Sequence, residues 1–158
     1  MNCLFSLNHL CCKISDLPSQ CTNYNLMNDP KRRYDYVKKG EKFCDKADGL
    51  NDVYNRPTSS DWVGSGWYRV TGQAGTSLST HAYTWVYKSA NDGTCGAHYG
   101  SHVTGTHPNT FGQTGTMKIC FKLNCRGYWQ NIDVTNCGSF YVYKLTGMSG
   151  CSWRYCTQ

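Results

Sequence analysis

Cysteine is the residue type with the most chemistry to offer in this chain. Eleven of the 158 residues are cysteines, at positions 3, 11, 12, 21, 44, 95, 120, 125, 137, 151 and 156. Two thiolates held two to four residues apart by a tight turn make half of a zinc site. In an oxidising compartment the same thiols become disulfides. Only Cys120/Cys125 and Cys151/Cys156 approach the zinc spacing, and the second pair encloses the bulky Trp153 and Tyr155. The spacing therefore favours disulfides, with a four-thiolate zinc site as the lesser alternative. Eight cysteines alone allow on the order of a hundred pairings, so spacing leaves the connectivity open.

Histidine is the next candidate. His98, His102 and His107 follow Cys95 closely, with His81 upstream. Imidazoles at short spacing suit zinc or copper, and a metal-dependent enzyme built on the loop 95–108 is one reading. Gly96, Gly100 and Gly105 argue against a helix that would align them. Histidines on a glycine-rich loop, exposed or hydrogen-bonded, are the simpler expectation. Tyr99 in the same loop joins His98, His102 and His107 as a candidate contact surface. Catalytic signatures are missing: the sequence has no His-Glu-x-x-His, no phosphate-binding glycine loop and no Gly-x-Ser-x-Gly elbow. Glu41 is the sole glutamate, and residues 45–52 lack the regular oxygen ligands of a calcium loop. No enzymatic activity and no cofactor or metal are expected.

The third chemical feature is charge. Between residues 30 and 46, Lys31, Arg32, Arg33, Lys38, Lys39, Lys42 and Lys46 face only Asp35, Glu41 and Asp45, a net of +4 within a formal +6. Lys31, Arg32 and Arg33 are thus candidate contacts, and an anionic-glycan-binding, lectin-like domain using the loop 31–42 is the alternative function they support. A solvated loop between cross-linked anchors is the plainer reading. Nucleic acid is not an expected partner, because no base-reading motif accompanies the charge.

These residues must be held by a framework, and its pattern is β. Residues 67–71 (Trp-Tyr-Arg-Val-Thr) and 83–87 are strand-like, and Asn91-Asp92-Gly93 is a strong turn signal. Residues 117–123 alternate, with Met117, Ile119, Phe121 and Leu123 on one face and Lys118, Cys120 and Lys122 on the other. Residues 128–134 place Tyr128, Ile132 and Val134 together, and 139–145 form the most β-like run. Helical signals are sparse, with a turn or two over 45–54. Short strands between turn clusters predict a mainly β fold, a disulfide-stapled antiparallel sandwich-like domain with long loops. Aromatic residues at 14% and charged residues at 16% exclude disorder. No run of 18 apolar residues exists, so no membrane insertion by this chain is expected. Residues 1–20 carry three cysteines and little pattern. They are expected to be a leader or an upstream-module remnant, with the domain at 21–158.

An ordered series of motifs runs from Cys21 to the C-terminus. It comprises Cys21-x2-Tyr24-x-Leu26-x-Asn28-Asp29-Pro30, Cys44-Asp45, Gly66-Trp67-Tyr68-Arg69-Val70, Cys95-Gly96, Gly105-Thr106-His107-Pro108, Cys120, Cys125, Cys137, Tyr141-Val142-Tyr143-x-Leu145 and Cys151-x3-Tyr155-Cys156. This series resembles the eight-cysteine form of the cysteine-rich domain shared by uromodulin, the pancreatic zymogen granule membrane glycoprotein and the liver-specific zona-pellucida-domain protein. The resemblance implies the pairs Cys21–Cys137, Cys44–Cys151, Cys95–Cys156 and Cys120–Cys125. It also implies a secreted, extracellular, non-catalytic recognition or adhesion module of a uromodulin-like glycoprotein in mucosal or innate defence. Extracellular proteins or glycans would be its partners, with EGF-like or zona-pellucida modules flanking it in the full-length protein. Relatives carry N-glycans that bacterial adhesins bind. Here Thr104-Gly105-Thr106 and Lys144-Leu145-Thr146 stand where relatives can have sequons, and the sequence contains no Asn-x-Ser/Thr. The glycan-decoy role is therefore not expected of this domain. Trp67, Tyr68 and Arg69 are the most distinctive motif outside the cysteines, expected as buried framework rather than contact residues.

Overall fold

The structure is a computed structural model that describes residues 17–38, 40–47, 56–82, 94–121, 125 and 128–158. The expected strand at 83–87, the turn at 91–93, Lys39, Lys122, Leu123, most of the 45–54 turn and Cys3, Cys11 and Cys12 lie outside the described residues. Among the described residues, eight strands follow in chain order: β1 Asn25–Met27, β2 Gly66–Val70, β3 Tyr99–Gly100, β4 His102–Thr104, β5 Thr114–Cys120, β6 Trp129–Asn136, β7 Tyr141–Leu145 and β8 Trp153–Arg154. Six form one sheet in the order β1-β2-β7-β6-β5-β4, and β3 pairs with β8 in a two-stranded ribbon. The fold is mainly β, as the turn spacing predicts. Every pair in the large sheet is antiparallel except β1–β2. The ribbon is parallel.

The period of two decides the layering. Tyr68 lies opposite Tyr143, Tyr143 opposite Val134, Met117 opposite Ile132, and Ile119 opposite Val103. Side chains at paired positions share a face, so these residues build one apolar surface. The long connections and the β3–β8 ribbon cover it with Trp62, Ala74, Leu78, Met148, Trp153 and Tyr155. Trp62 stacks flat on Tyr68 at 4.9 Å between ring centroids. Burying each large side chain contributes about 1.5–3 kcal/mol. Cys120, which alternation places on the polar face, is buried nonetheless, because its disulfide to Cys125 covers it.

The opposite face divides in two. One half carries Val142, Trp67 and the Cys21–Cys137 bond, covered by Leu17, Tyr24 and Phe140. Gln20 adds side-chain hydrogen bonds to Thr114 Oγ1 (3.2 Å) and Thr135 Oγ1 (3.0 Å). Residues 17–20, placed outside the domain by sequence pattern, are therefore part of its packing, which corrects the boundary at Cys21. The other half of this face is open to solvent.

Among the described residues, four disulfides connect the layers: Cys21–Cys137, Cys44–Cys151, Cys95–Cys156 and Cys120–Cys125. The first three span 116, 107 and 61 residues, and the last spans 5. The glycine-rich stretch 95–108, expected to be a loop, contains β3 and β4. Two- and three-residue strands are too short to show alternation. They form because Val103 packs on Ile119 and Tyr99 pairs with Trp153.

Candidate functional site

The basic run folds inward. Asp29 caps the short 3-10 turn Pro30–Arg32 by accepting the Lys31 N–H at 2.9 Å. That turn aims Arg32 into the interior, where it is 0% exposed. Its guanidinium donates to both oxygens of Asp45 (2.8 Å each), to Asp61 through Nε and Nη2, and to the Tyr155 carbonyl. Asp45 also accepts the Tyr155 N–H at 2.9 Å. Asp61 accepts the Asn28 and Asp29 N–H groups. Arg154 is equally buried, donating to Asp29, to Ser59 Oγ and to the carbonyls of Lys31 and Cys95.

Arg32 is thus a structural ion, not a contact residue, and this corrects its assignment. Burial opposes its charge, but Asp45 and Asp61 more than compensate and hold its pKa above the ordinary value. Burial likewise pushes the Asp61 carboxyl up, yet hydrogen bonding and charge from Arg32 outweigh this and hold it below the usual range.

Three neighbours in the run carry acidic partners at the surface. Lys31 lies 3.2 Å from Glu41 and over the Phe43 ring, Arg33 pairs with Asp35 at 3.1 Å, and Lys38 pairs with Glu41 at 2.8 Å. Hydrogen bonds, first from Lys38 and then from Tyr36, draw the Glu41 pKa down to about 2. Much of the positive charge is answered within the loop itself.

The histidines of 95–108 do not converge. His98 meets Tyr99 edge-on at 4.3 Å, and Tyr99 packs against Trp153 at 4.7 Å. His107 Nε2 lies 2.9 Å from the Tyr143 hydroxyl, and burial lowers its pKa. His102 sits in β4 at only 4% exposure, its pKa lowered by burial and its Nδ1 without a hydrogen-bond partner among the described residues. Burial removes it from any contact surface, a second correction. Among the described residues, one group places three potential metal-ligating atoms within 4.8 Å of one another: His102, Cys120 and Cys125. Its two sulfurs are bonded to each other.

Within the Trp67-Tyr68-Arg69 motif Tyr68 is buried, while Trp67 and Arg69 are partly exposed. Tyr68 is in the core, donating its hydroxyl to the Gly64 carbonyl at 2.6 Å and accepting the Val63 N–H. Trp67 packs beside Cys21–Cys137. Arg69 lies over Phe140 at 3.9 Å and donates to the Tyr24 hydroxyl at 3.1 Å.

What sequence reasoning missed is the open half of the large sheet. Trp129 stands 49% exposed at the start of β6, beside the exposed Tyr128. The Lys118 ammonium lies over the Trp129 ring, 4.2 Å from its centroid. Thr104, Thr116 and Asn131 stand exposed on the same face, since Lys118 pairs with both Thr104 and Asn131, and Thr116 pairs with Asp133. The alternation that turns Ile132 and Val134 inward also turns Trp129, Asn131 and Asp133 outward. That was the available signal.

The six-stranded sheet, its four disulfides and the buried core that contains Tyr68 and Tyr155 can now be set against known domains. The profile of the uromodulin-like eight-cysteine domain matches residues 68–157. The chain belongs to the uromodulin-like domain family. Six of the eight half-cystines fall inside the matched span, and Cys21 and Cys44 reach into it through their bonds to Cys137 and Cys151. The chain is also similar to the pancreatic secretory granule membrane major glycoprotein GP2. Identity is 29% to the dog protein (Canis lupus familiaris) over 87% of this chain and 23% of that protein. It is 27% to the mouse protein (Mus musculus) over 92% and 25%, and 28% to the human protein over 87% and 22%. This uromodulin-like chain spans about a quarter of the length of these relatives.

Proposed function

We propose that this uromodulin-like domain is a non-catalytic extracellular recognition module of a GP2-like glycoprotein, and that it contacts glycan chains through the open half of its large sheet. The observation that carries the reading is Trp129, half exposed on a regular strand with the Lys118 ammonium over its ring, on a sheet face that also exposes Thr104, Thr116 and Asn131. An aromatic side chain normally packs away from water. An exposed indole offers the face not covered by Lys118 to the C–H face of a sugar ring. Thr104, Thr116, Asn131 and Lys118 match the ring's hydroxyls in hydrogen-bonding character. Four disulfides fit a secreted protein, and the relatives' name, a secretory granule membrane glycoprotein, supports the same route.

Neither alternative gains from the geometry. An anionic-glycan site on 31–42 would use Lys31 and Arg33, each already beside a carboxylate, and Arg32, which is buried. A metal enzyme on 95–108 would need His98, His102 and His107 gathered, and they are held by different neighbours. The test is a printed array of mucosal N- and O-glycans probed with the disulfide-intact protein and with Trp129→Ala. Wild-type binding to a defined glycan class, lost in Trp129→Ala, supports the proposal. Equal binding by both proteins, or no binding by the wild type, rejects it.

A further inference from the structure

The Cys120–Cys125 bond differs from the other three in two respects. It closes only 5 residues, so breaking it frees little of the unfolded chain and threatens the fold least. Among the described residues, Cys125 is also the one half-cystine that is partly exposed, the seven others being buried. Attack on a disulfide begins with access, and Cys125 brings this bond nearer to solvent than the others.

What lies beside the bond is a ligand without a task. His102 is directly opposite Cys120 in the β4–β5 pairing, is 4% exposed, and holds a buried Nδ1 with no hydrogen-bond partner among the described residues. A buried polar atom left unsatisfied is uncommon and calls for an explanation. The ligating atoms of His102, Cys120 and Cys125 already lie within 4.8 Å of one another. Two thiolates and a neutral imidazole are a donor set that zinc prefers, with a water completing a tetrahedron. β4 and β5 supply two of the three ligands on neighbouring strands, so the site needs only the sulfurs to part.

We propose that Cys120, Cys125 and His102 form a redox-gated zinc site, closed while the disulfide is intact and opened by a dithiol reductant. In the first step the dithiol is oxidised to its own disulfide as the Cys120–Cys125 bond breaks, and two protons and two electrons pass to the cysteine sulfurs as thiols. In the second, Zn2+ displaces those two protons and binds both thiolates with the His102 imidazole. The site is independent of the glycan reading and stands or falls separately.

The test uses the whole folded chain. A trialkylphosphine titration with alkylation and peptide mapping identifies which disulfide opens first, while near-ultraviolet circular dichroism follows the fold. Co2+ then serves as the probe, displaced by Zn2+. The expected results are first opening at Cys120–Cys125, one Co2+ per reduced chain with thiolate charge-transfer and tetrahedral d–d bands, and none in the oxidised chain. His102→Gln should weaken the reduced site at least about 100-fold, since even outer-shell changes reach that range. X-ray absorption of the zinc form, counting two sulfurs and one imidazole nitrogen in the wild type, decides the matter should His102→Gln fail to fold. Opening of another disulfide first, no metal uptake after reduction, or full affinity in His102→Gln overturns the proposal.

Discussion

Removing the carboxylate of Asp45 should destabilise the domain more than any surface change. Asp45→Ala deletes two 2.8 Å hydrogen bonds from Arg32 and the 2.9 Å bond from the Tyr155 N–H. Arg32 keeps Asp61 and the Tyr155 carbonyl, but each of its terminal nitrogens loses one hydrogen bond and a buried backbone donor loses its partner. Breaking a buried pair from one side costs about 3–5 kcal/mol, chiefly because the surviving charge stays dehydrated. With a guanidinium slope of about 3 kcal/mol/M, the midpoint falls by about 1–1.7 M. The assay is equilibrium unfolding with all disulfides intact, followed by tryptophan fluorescence, since Trp62 packs on Tyr68 and Tyr155 near this network. Arg32→Met alone should also be severe, and the double variant should lose about 0.5–3 kcal/mol less than the two singles together. A loss below about 1 kcal/mol for Asp45→Ala, or strict additivity, would refute the claim that this network is a coupled unit.

The same network has consequences for other experiments. Lys31→Ala with Arg33→Ala, leaving Arg32 in place, should elute from heparin at the salt of the wild type; a collapse of retention would return the contact surface to the basic loop. In acid, the depressed Asp61 carboxyl adds stability that is complete above its ordinary value of 3.8 and lost as pH falls through its lower folded value. Asp61→Asn should therefore flatten the acid limb of a stability–pH curve, and an unchanged limb would contradict that assignment. Replacing Cys120 and Cys125 with serine should cost roughly 2 kcal/mol by the chain-entropy relation, against roughly 5 kcal/mol for Cys21 and Cys137, given spans of 5 and 116 residues. Chemical denaturation of the two double variants measures the contrast, and equal losses would count against it.

Much of the fold was legible because period-two alternation is a local signal. The runs at 67–71, 117–123, 128–134 and 139–145 correspond to β2, β5, β6 and β7 within a few residues. The strands that escaped, β1, β3, β4 and β8, are two or three residues long. They owe their conformation to partners far along the chain, as Met27 does to Val70. The cysteine connectivity was read from family resemblance, because spacing cannot choose among so many pairings. The candidate site was legible only in part. A run of cations in sequence does not say which one turns inward, and Arg32 does so because Asp29 caps its turn and Asp45 and Asp61 wait beneath. Trp129 was overlooked for the opposite reason. A tryptophan in a strand reads as core, although the alternation that buries Ile132 and Val134 turns it outward, and its pairing with Cys120 places it on the open face.

The most direct test of the central claim is the indole N–H resonance of Trp129. Neutral oligosaccharides released from mucin would be titrated into isotope-labelled, disulfide-intact protein. The account predicts that the Trp129 signal shifts saturably together with the amides of Lys118 and Asn131. The indole of Trp62, whose N–H donates to the Lys46 carbonyl, should stay fixed. A saturable response confined to residues 31–42, or no response at Trp129, would contradict it.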